Sequence, residues 1–190
     1  KFPQGLEKEL NTALKKVEQI LGANFSEPSY RLLMSVRSGA WASMPGMMDT
    51  VLNLGLNEKT LQGIIRKSGN ERFAWDSYRR FIQMYGDVVL GMKPENKEDV
   101  DPFEEVMDHL KEEKGVKADL DLTVADLKEL VKRFKALVKK RLNKEFPDDP
   151  YKQLWGAIGA VFGSWHNERA ILYRKMNGID DSWGTAVNVQ

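Results

Sequence analysis

The chain contains no cysteine, which excludes a disulfide framework, a thiolate zinc site and a cysteine nucleophile together. It also has no run of 18 apolar residues, and its first residues, Lys1-Phe2-Pro3-Gln4-Gly5, form no apolar leader core. Charge of one sign is lacking as well: 29 Lys and Arg stand against 28 Asp and Glu, a net +1. That field is too weak to imply a nucleic-acid or anionic-membrane partner, so any bound anion must be held by local geometry. Histidine is nearly absent. His109 lies in a charged stretch beside Asp108, and His166 follows Trp165 at a helix boundary; neither has the spacing of a nucleophile relay or a metal site.

What is present is balanced. With 190 residues, 42% hydrophobic and 30% charged, with 15 Gly and 7 Pro, the composition excludes a disordered or low-complexity chain. A cytoplasmic setting is expected, with an organelle as the alternative. The chain does not start with Met and stops within a β-like run, Thr185 to Gln190, so it reads as a processed form or a piece of something longer.

Leu6, Leu10, Leu14, Val17 and Leu21 recur at helical spacing and Gly22 stops them, which predicts an amphipathic helix. Leu32 to Val36 and Val51 to Leu54 are short apolar runs around a small-residue loop, a hairpin-like unit of two strands. The pattern turns helical from Glu58. Ala74, Tyr78, Phe81, Ile82, Tyr85, Val88 and Val89 mark one face of a long helix ended by Gly91 and Pro94.

Residues 93–150 differ in composition, with 13 Lys and Arg against 16 Asp and Glu, a net −3 that leaves +4 on the rest. Narrow stripes at Phe103, Val106, Met107 and Leu110, and from Leu127 to Leu142 behind Thr123 as N-cap, predict two surface helices. This segment reads as a charged helical accessory subdomain between residues 1–92 and 151–190, which form the body. Leu154 to Trp165 is apolar and aromatic, a further helix spans Ala170 to Met176, and Trp183 to Gln190 reads as a strand. The fold class is α+β, predominantly helical.

The loop after Val36 is the most informative stretch. Arg37, then Ser38-Gly39-Ala40 and Ser43-Met44-Pro45-Gly46, offers a planar bidentate cation, hydroxyls and unobstructed backbone N–H groups, the parts a polyphosphate needs. Turn-forming glycines and a surface ion pair account for the same residues. Met44, Met47 and Met48 suit either a pliable surface for a flat ring or, more simply, core filling. Asp76 and Arg80 are an i,i+4 helix pair, with Arg80 off the apolar face and Arg79 on its flank. Asp49 is the one acid near the loop for Mg²⁺, and turn capping is its equally simple role.

Two strings carry a resemblance. Ser35-Val36-Arg37-Ser38-Gly39-Ala40 with Ser43-Met44-Pro45-Gly46-Met47-Met48-Asp49-Thr50-Val51-Leu52-Asn53-Leu54-Gly55-Leu56-Asn57, and then Arg72 to Met84, closely resemble the N-terminal nucleotide-binding domain of the pyruvate phosphate dikinase family. The likeness continues through Leu127-Lys128-Glu129-Leu130 and Arg169-Ala170-Ile171 to Trp183-Gly184-Thr185-Ala186-Val187-Asn188-Val189-Gln190. The resemblance implies part of an ATP-grasp domain with an inserted helical subdomain, in an enzyme converting ATP, phosphate and pyruvate to AMP, pyrophosphate and phosphoenolpyruvate through a histidine on a separate swivelling domain.

It further implies Arg37 and Arg80 as catalytic phosphate-binding arginines, Ser43 and Thr50 as nucleotide-binding hydroxyls, Mg²⁺ held mostly outside this chain, and a homodimeric parent. Trp41 departs from it, standing where a small or basic residue is expected. The family's Gly-rich Lys segment, third Arg, Mg²⁺-binding acid, phosphorylated histidine and pyruvate barrel are not among these residues, so the piece alone is expected to be inactive. The alternatives are a non-catalytic module docking through the 93–150 helices, and a dikinase like the phosphoenolpyruvate synthases, which share only the Arg-Ser start of the loop.

Overall fold

The computed structural model describes residues 2–25, 27, 32–94 and 99–190. Its elements run α1 (Leu6–Leu21), β1 (Met34–Ser38), β2 (Thr50–Leu54), α2 (Glu58–Ser68), α3 (Glu71–Val88), α4 (Pro102–Lys114), α5 (Val124–Leu142), α6 (Pro150–Gly163), α7 (Glu168–Asn177) and β3 (Val187–Val189), with short 3-10 turns at Asp119–Asp121, Ser164–His166 and Asp181–Trp183. The fold is α+β and mostly helical.

Local chemistry sets most helix boundaries. Asn57 accepts the N–H groups of Lys59 and Thr60, both at 2.9 Å, while Thr60 Oγ1 accepts the Asn57 N–H, so α2 starts on reciprocal caps. Asn70 caps α3, Asp101 and Asp149 cap α4 and α6 ahead of Pro102 and Pro150, and Thr123 caps α5. The helical stretch from Glu58 divides in two because Gly69 takes a left-handed φ of 64°.

Three antiparallel strands lie in the order β2-β1-β3. Pairing in β1 runs to Ser38, two residues past the expected Leu32–Val36 run, because β3 pairs with that end and Gly39 N–H donates to Ala186 C=O at 2.8 Å. The strand expected over Trp183–Gln190 is confined to Val187–Val189. Trp183 closes a 3-10 turn, and Gly184, at φ 63°, turns the chain before pairing can begin.

Met34, Val36, Val51 and Leu54 point inward, where α6 packs on β1 and β2. α3 is the hub of the interior, touching α2, α5 and β2. Phe103 of α4 stacks edge-on against Phe134 of α5 at 4.9 Å, and Phe146 is edge-on to both Phe81 and Tyr85 of α3. The helices of the charged segment therefore share one continuous apolar core with α3 and the sheet. Gln153 is the core's polar tie: its amide accepts Gly55 N–H at 2.8 Å and donates to Leu56 and Pro147 C=O at 2.9 and 2.8 Å.

A second, smaller core is built from Met44, Trp165 and Ala170, with Met47, Met48, Tyr173 and Ile179 around it. The three loop methionines serve as packing here, so the loop is upholstered from beneath by the C-terminal third of the chain.

Candidate functional site

In β1, alternation sends Met34 and Val36 inward and Arg37 outward. Arg37 stands in register between Thr50 of β2 and Asn188 of β3, one cross-strand row on the open face of the sheet. With the Gln190 amide turned so that its oxygen meets the guanidinium, Oε1 accepts from Arg37 Nε at 3.1 Å and Nη2 at 3.2 Å.

Beyond this row the chain from Ser38 to Gly46 curls into the wall of an open pocket of about 540 Å³, completed by Met48, Thr50 and Asn188. Arg37 is the one charged residue in that lining. Among the described residues no carboxylate pairs with it, whereas Arg79, Arg80, Arg133, Arg169 and Arg174 all hold carboxylates. An uncompensated guanidinium, with small residues around it, is an electrostatic and steric opening for an anion.

Both ends of the loop are tied down. At the start, Ser38 Oγ lies 2.8 Å from Thr185 Oγ1 and accepts Ala40 N–H. At the end, Asp49 N–H donates to Ser164 Oγ at 3.2 Å. Its carboxylate accepts from Asn167 Nδ2 at 3.0 Å and from Arg169, whose Nε also donates to Met47 C=O at 2.9 Å. Gly39 runs close under β3: a Cβ there would sit 2.9 Å from Asn188 Nδ2.

The sequence-derived candidates divide accordingly. Arg37, Ser43 and Thr50 line the same pocket, Ser43 and Thr50 both exposed. Arg80 does not line it. Its side chain, 64% exposed, is held by Asp76 Oδ2 at 3.0 Å on α3. The stripe it belongs to, Phe73, Ser77, Arg80 and Met84, runs beside edge strand β2. Phe73 and Ser77 line a small space with Asn53, and Met84 Sδ accepts Leu52 N–H. Arg79 is not on a flank: it is 5% exposed, locked by Asp76 at 2.6 Å, Asp119 and Gln83. Its helical phase turns it toward the 3-10 turn at Asp119, an element that spacing within α3 could not announce.

Asp49 lies outside the pocket lining, its carboxylate already engaged by Arg169 and Asn167. Among the described residues no group of three His, Cys, Asp or Glu is placed to hold a metal ion. Sequence reasoning missed Asn188, Gln190, Arg169 and the buried Arg174. For Asn188 and Gln190 a signal existed: alternation along 185–190 puts both on one face of a strand, and pairing that strand with β1 would have set them beside Arg37.

Over residues 1–190 the chain matches a family described as "Pyruvate phosphate dikinase, AMP/ATP-binding domain". It is 54% identical over 188 residues to the pyruvate, phosphate dikinase of Clostridium symbiosum, covering 98% of this chain and 21% of that protein. The Rhizobium meliloti (strain 1021) enzyme is 50% identical over 189 residues, covering 100% of this chain and 20% of the relative. For the chloroplastic pyruvate, phosphate dikinase 1 of Arabidopsis thaliana the values are 54% over 190 residues, 100% and 19%. The chain thus spans about a fifth of the length of these relatives.

Proposed function

This chain belongs to the pyruvate phosphate dikinase AMP/ATP-binding domain family, and from that premise we propose that the Arg37 pocket holds the phosphates of ATP. The protein containing it is a kinase that passes a phosphoryl group from ATP to a histidine on a separate domain, on the way from ATP, phosphate and pyruvate to AMP, pyrophosphate and phosphoenolpyruvate. The domain is part of an ATP-grasp fold, residues 93–150 are its inserted helical subdomain between 1–92 and 151–190, and the parent is a homodimer.

The observation that carries this reading is Arg37, which pairs with no carboxylate among the described residues and stands in a pocket otherwise free of charge. A guanidinium offers two parallel N–H donors to one phosphate, and Gln190 holds its Nε edge so that the fork keeps a single orientation. Ala42 and Gly46, without bulk, let phosphate oxygens approach the backbone, while the N–H groups of Gly39 and Ala40 are already engaged by Ala186 C=O and Ser38 Oγ and the exposed hydroxyls of Ser43 and Thr50 add neutral donors. Charge neutralisation of the transferring group is then electrostatic, and the tethered loop needs little reorganisation as the reaction proceeds. Arg80, exposed on the neighbouring helix and aimed by Asp76, is assigned the second contact, made when phosphate reaches beyond the pocket.

The residues here do not fit a divalent cation, because the one acid of the loop is engaged by Arg169 and Asn167. The Mg²⁺ that the family reading calls for is assigned to residues outside this chain, and no step is routed through it.

The test is phosphoryl transfer from ATP to enzyme in the full-length protein. Arg37→Ala and Arg80→Ala are each expected to slow it by about 10²–10³, the cost of removing one donor aimed at developing charge. Unchanged transfer in both variants, with loss of activity on altering an exposed face of α5, would replace this reading with a docking module. Turnover that ignores inorganic phosphate would indicate a water-using dikinase.

A further inference from the structure

Arg79 and Arg80 are neighbours on α3, yet one is buried and the other exposed, and a single carboxylate joins them. Asp76 Oδ1 accepts from Arg79 Nη2 at 2.6 Å and Nε at 3.2 Å, while its Oδ2 accepts from Arg80 Nε at 3.0 Å. One negative charge thus serves two guanidiniums. Among the described residues Nη1 and Nη2 of Arg80 donate to nothing, so the outer fork of its guanidinium is open to an anion.

Asp76 is itself held by an anchor that cannot turn. Every nitrogen of the buried Arg79 guanidinium is engaged: Nε and Nη2 on Asp76, Nη1 on Gln83 Oε1 at 3.3 Å, and Nη2 again on Asp119 Oδ2 at 3.5 Å. The far partners belong to the charged segment. Gln83 Nε2 donates to Glu104 Oε1 of α4 at 2.6 Å. Asp119 is fixed in its 3-10 turn by Lys111 of α4, which meets Oδ1 at 3.0 Å, and by Arg72 at the start of α3, whose Nη2 and Nε donate to the Asp119 and Leu122 C=O groups at 2.6 and 2.9 Å. A continuous line of contacts therefore runs from the turn between α4 and α5 through Arg79 and Asp76 to Arg80.

We propose that this line sets the aim of Arg80, with Asp119, Arg79 and Asp76 as positioning residues through which the charged helical segment serves phosphoryl transfer; this deepens the reading of Arg80 as the second phosphate contact and rests on it. An exposed arginine samples many rotamers, and pinning its Nε to an immobilised carboxylate leaves the outer fork one direction in which to point. Without the pin Arg80 keeps its charge but is seldom in place when charge develops on the transferring group, so the rate falls. ATP held at Arg37 does not feel the change.

The experiment follows phosphoryl transfer from ATP to the full-length protein for Asp119→Asn, Asp76→Asn and Arg80→Ala, and for each aspartate variant combined with Arg80→Ala. Each aspartate variant alone should slow the maximal transfer rate about tenfold, with the ATP concentration for half-maximal rate unchanged. In the Arg80→Ala background neither should have a further effect, because the side chain they orient is gone. Asp119→Asn keeps the side-chain shape in a turn held through its main chain, so it should retain the parent melting temperature, and it carries the test if Asp76→Asn, which faces buried Arg79, fails to fold.

If Arg80→Ala slows transfer while Asp119→Asn and Asp76→Asn transfer as the parent does, the relay is wrong and the Arg80 contact stands. If Asp119→Asn slows transfer equally with and without Arg80, its effect bypasses that arginine and the proposal is overturned. If Arg80→Ala transfers at the parent rate, the phosphate reading of Arg80 fails and the relay with it.

Discussion

Arg169, near the start of α7, reaches the carboxylate of Asp49, 120 residues away in sequence, and donates from Nε to Met47 C=O at 2.9 Å. The pair closes the loop that begins at Arg37 onto the C-terminal third of the chain. Half of the Arg169 side chain remains exposed, so the ion pair itself stabilises little, about 0–1 kcal/mol. Its consequence lies in loop order.

Arg169→Ala should therefore leave the melting temperature nearly unchanged while amide exchange speeds up across residues 40–49 and affinity for an ATP analogue falls several-fold. Exchange rates equal to the parent's would show that the Met44 and Trp165 packing holds the loop without the clasp.

Gly86 faces the ring of Phe103: a Cβ there would lie 2.4 Å from Cζ, and the ring is backed by Phe134. Gly86→Ala gains up to about 1 kcal/mol of helix propensity, but overpacking typically costs about 1–3 kcal/mol. The net expectation is a loss of about 1–2 kcal/mol in urea unfolding. Phe103→Leu in the same background should recover part of it, the signature of a steric conflict.

Gln153→Leu should be severe. It orphans the Gly55 N–H and the Leu56 and Pro147 carbonyls, which Gln153 satisfies inside the core. At about 1–3 kcal/mol per buried unpaired group, a loss of at least about 3 kcal/mol is expected by chemical denaturation. A loss below about 1 kcal/mol would mean that water replaces the amide.

Asp87, at the end of α3, has its carboxyl pushed up to about 7, first by burial and then by the carboxylate of Asp101, with Glu104 adding to the effect and Lys93 opposing it. The fold prefers the protonated form, so this contribution is complete below the ordinary value of 3.8 and is lost as pH rises through about 7. Urea midpoints of the parent should fall between pH 4 and 7 more steeply than those of Asp87→Asn. Parallel profiles would assign the trend to other groups.

Much of this was readable in the chain itself. Gly22 and Thr123 announce helix ends because capping is a contact among residues a few positions apart. The stripe from Leu127 to Val138 appears as a buried face for the same reason. Arg37 was legible as an anion-binding candidate from its small neighbours. Arg79 was misplaced because its partner Asp119 lies 40 residues downstream, in a turn invisible to helical phase.

The sequence by itself determined the helices, the two short strands around the loop, and the identity of the loop's residues, all set by steric and hydrogen-bonding preferences within a few positions. Tertiary structure alone decided that Asn188 and Gln190 stand beside Arg37 and that Asp49 is spent on Arg169. Those relations cross more than 100 residues. They arise from strand register and from the packing of Trp165 under the loop, where burial of apolar surface chooses which distant segments meet.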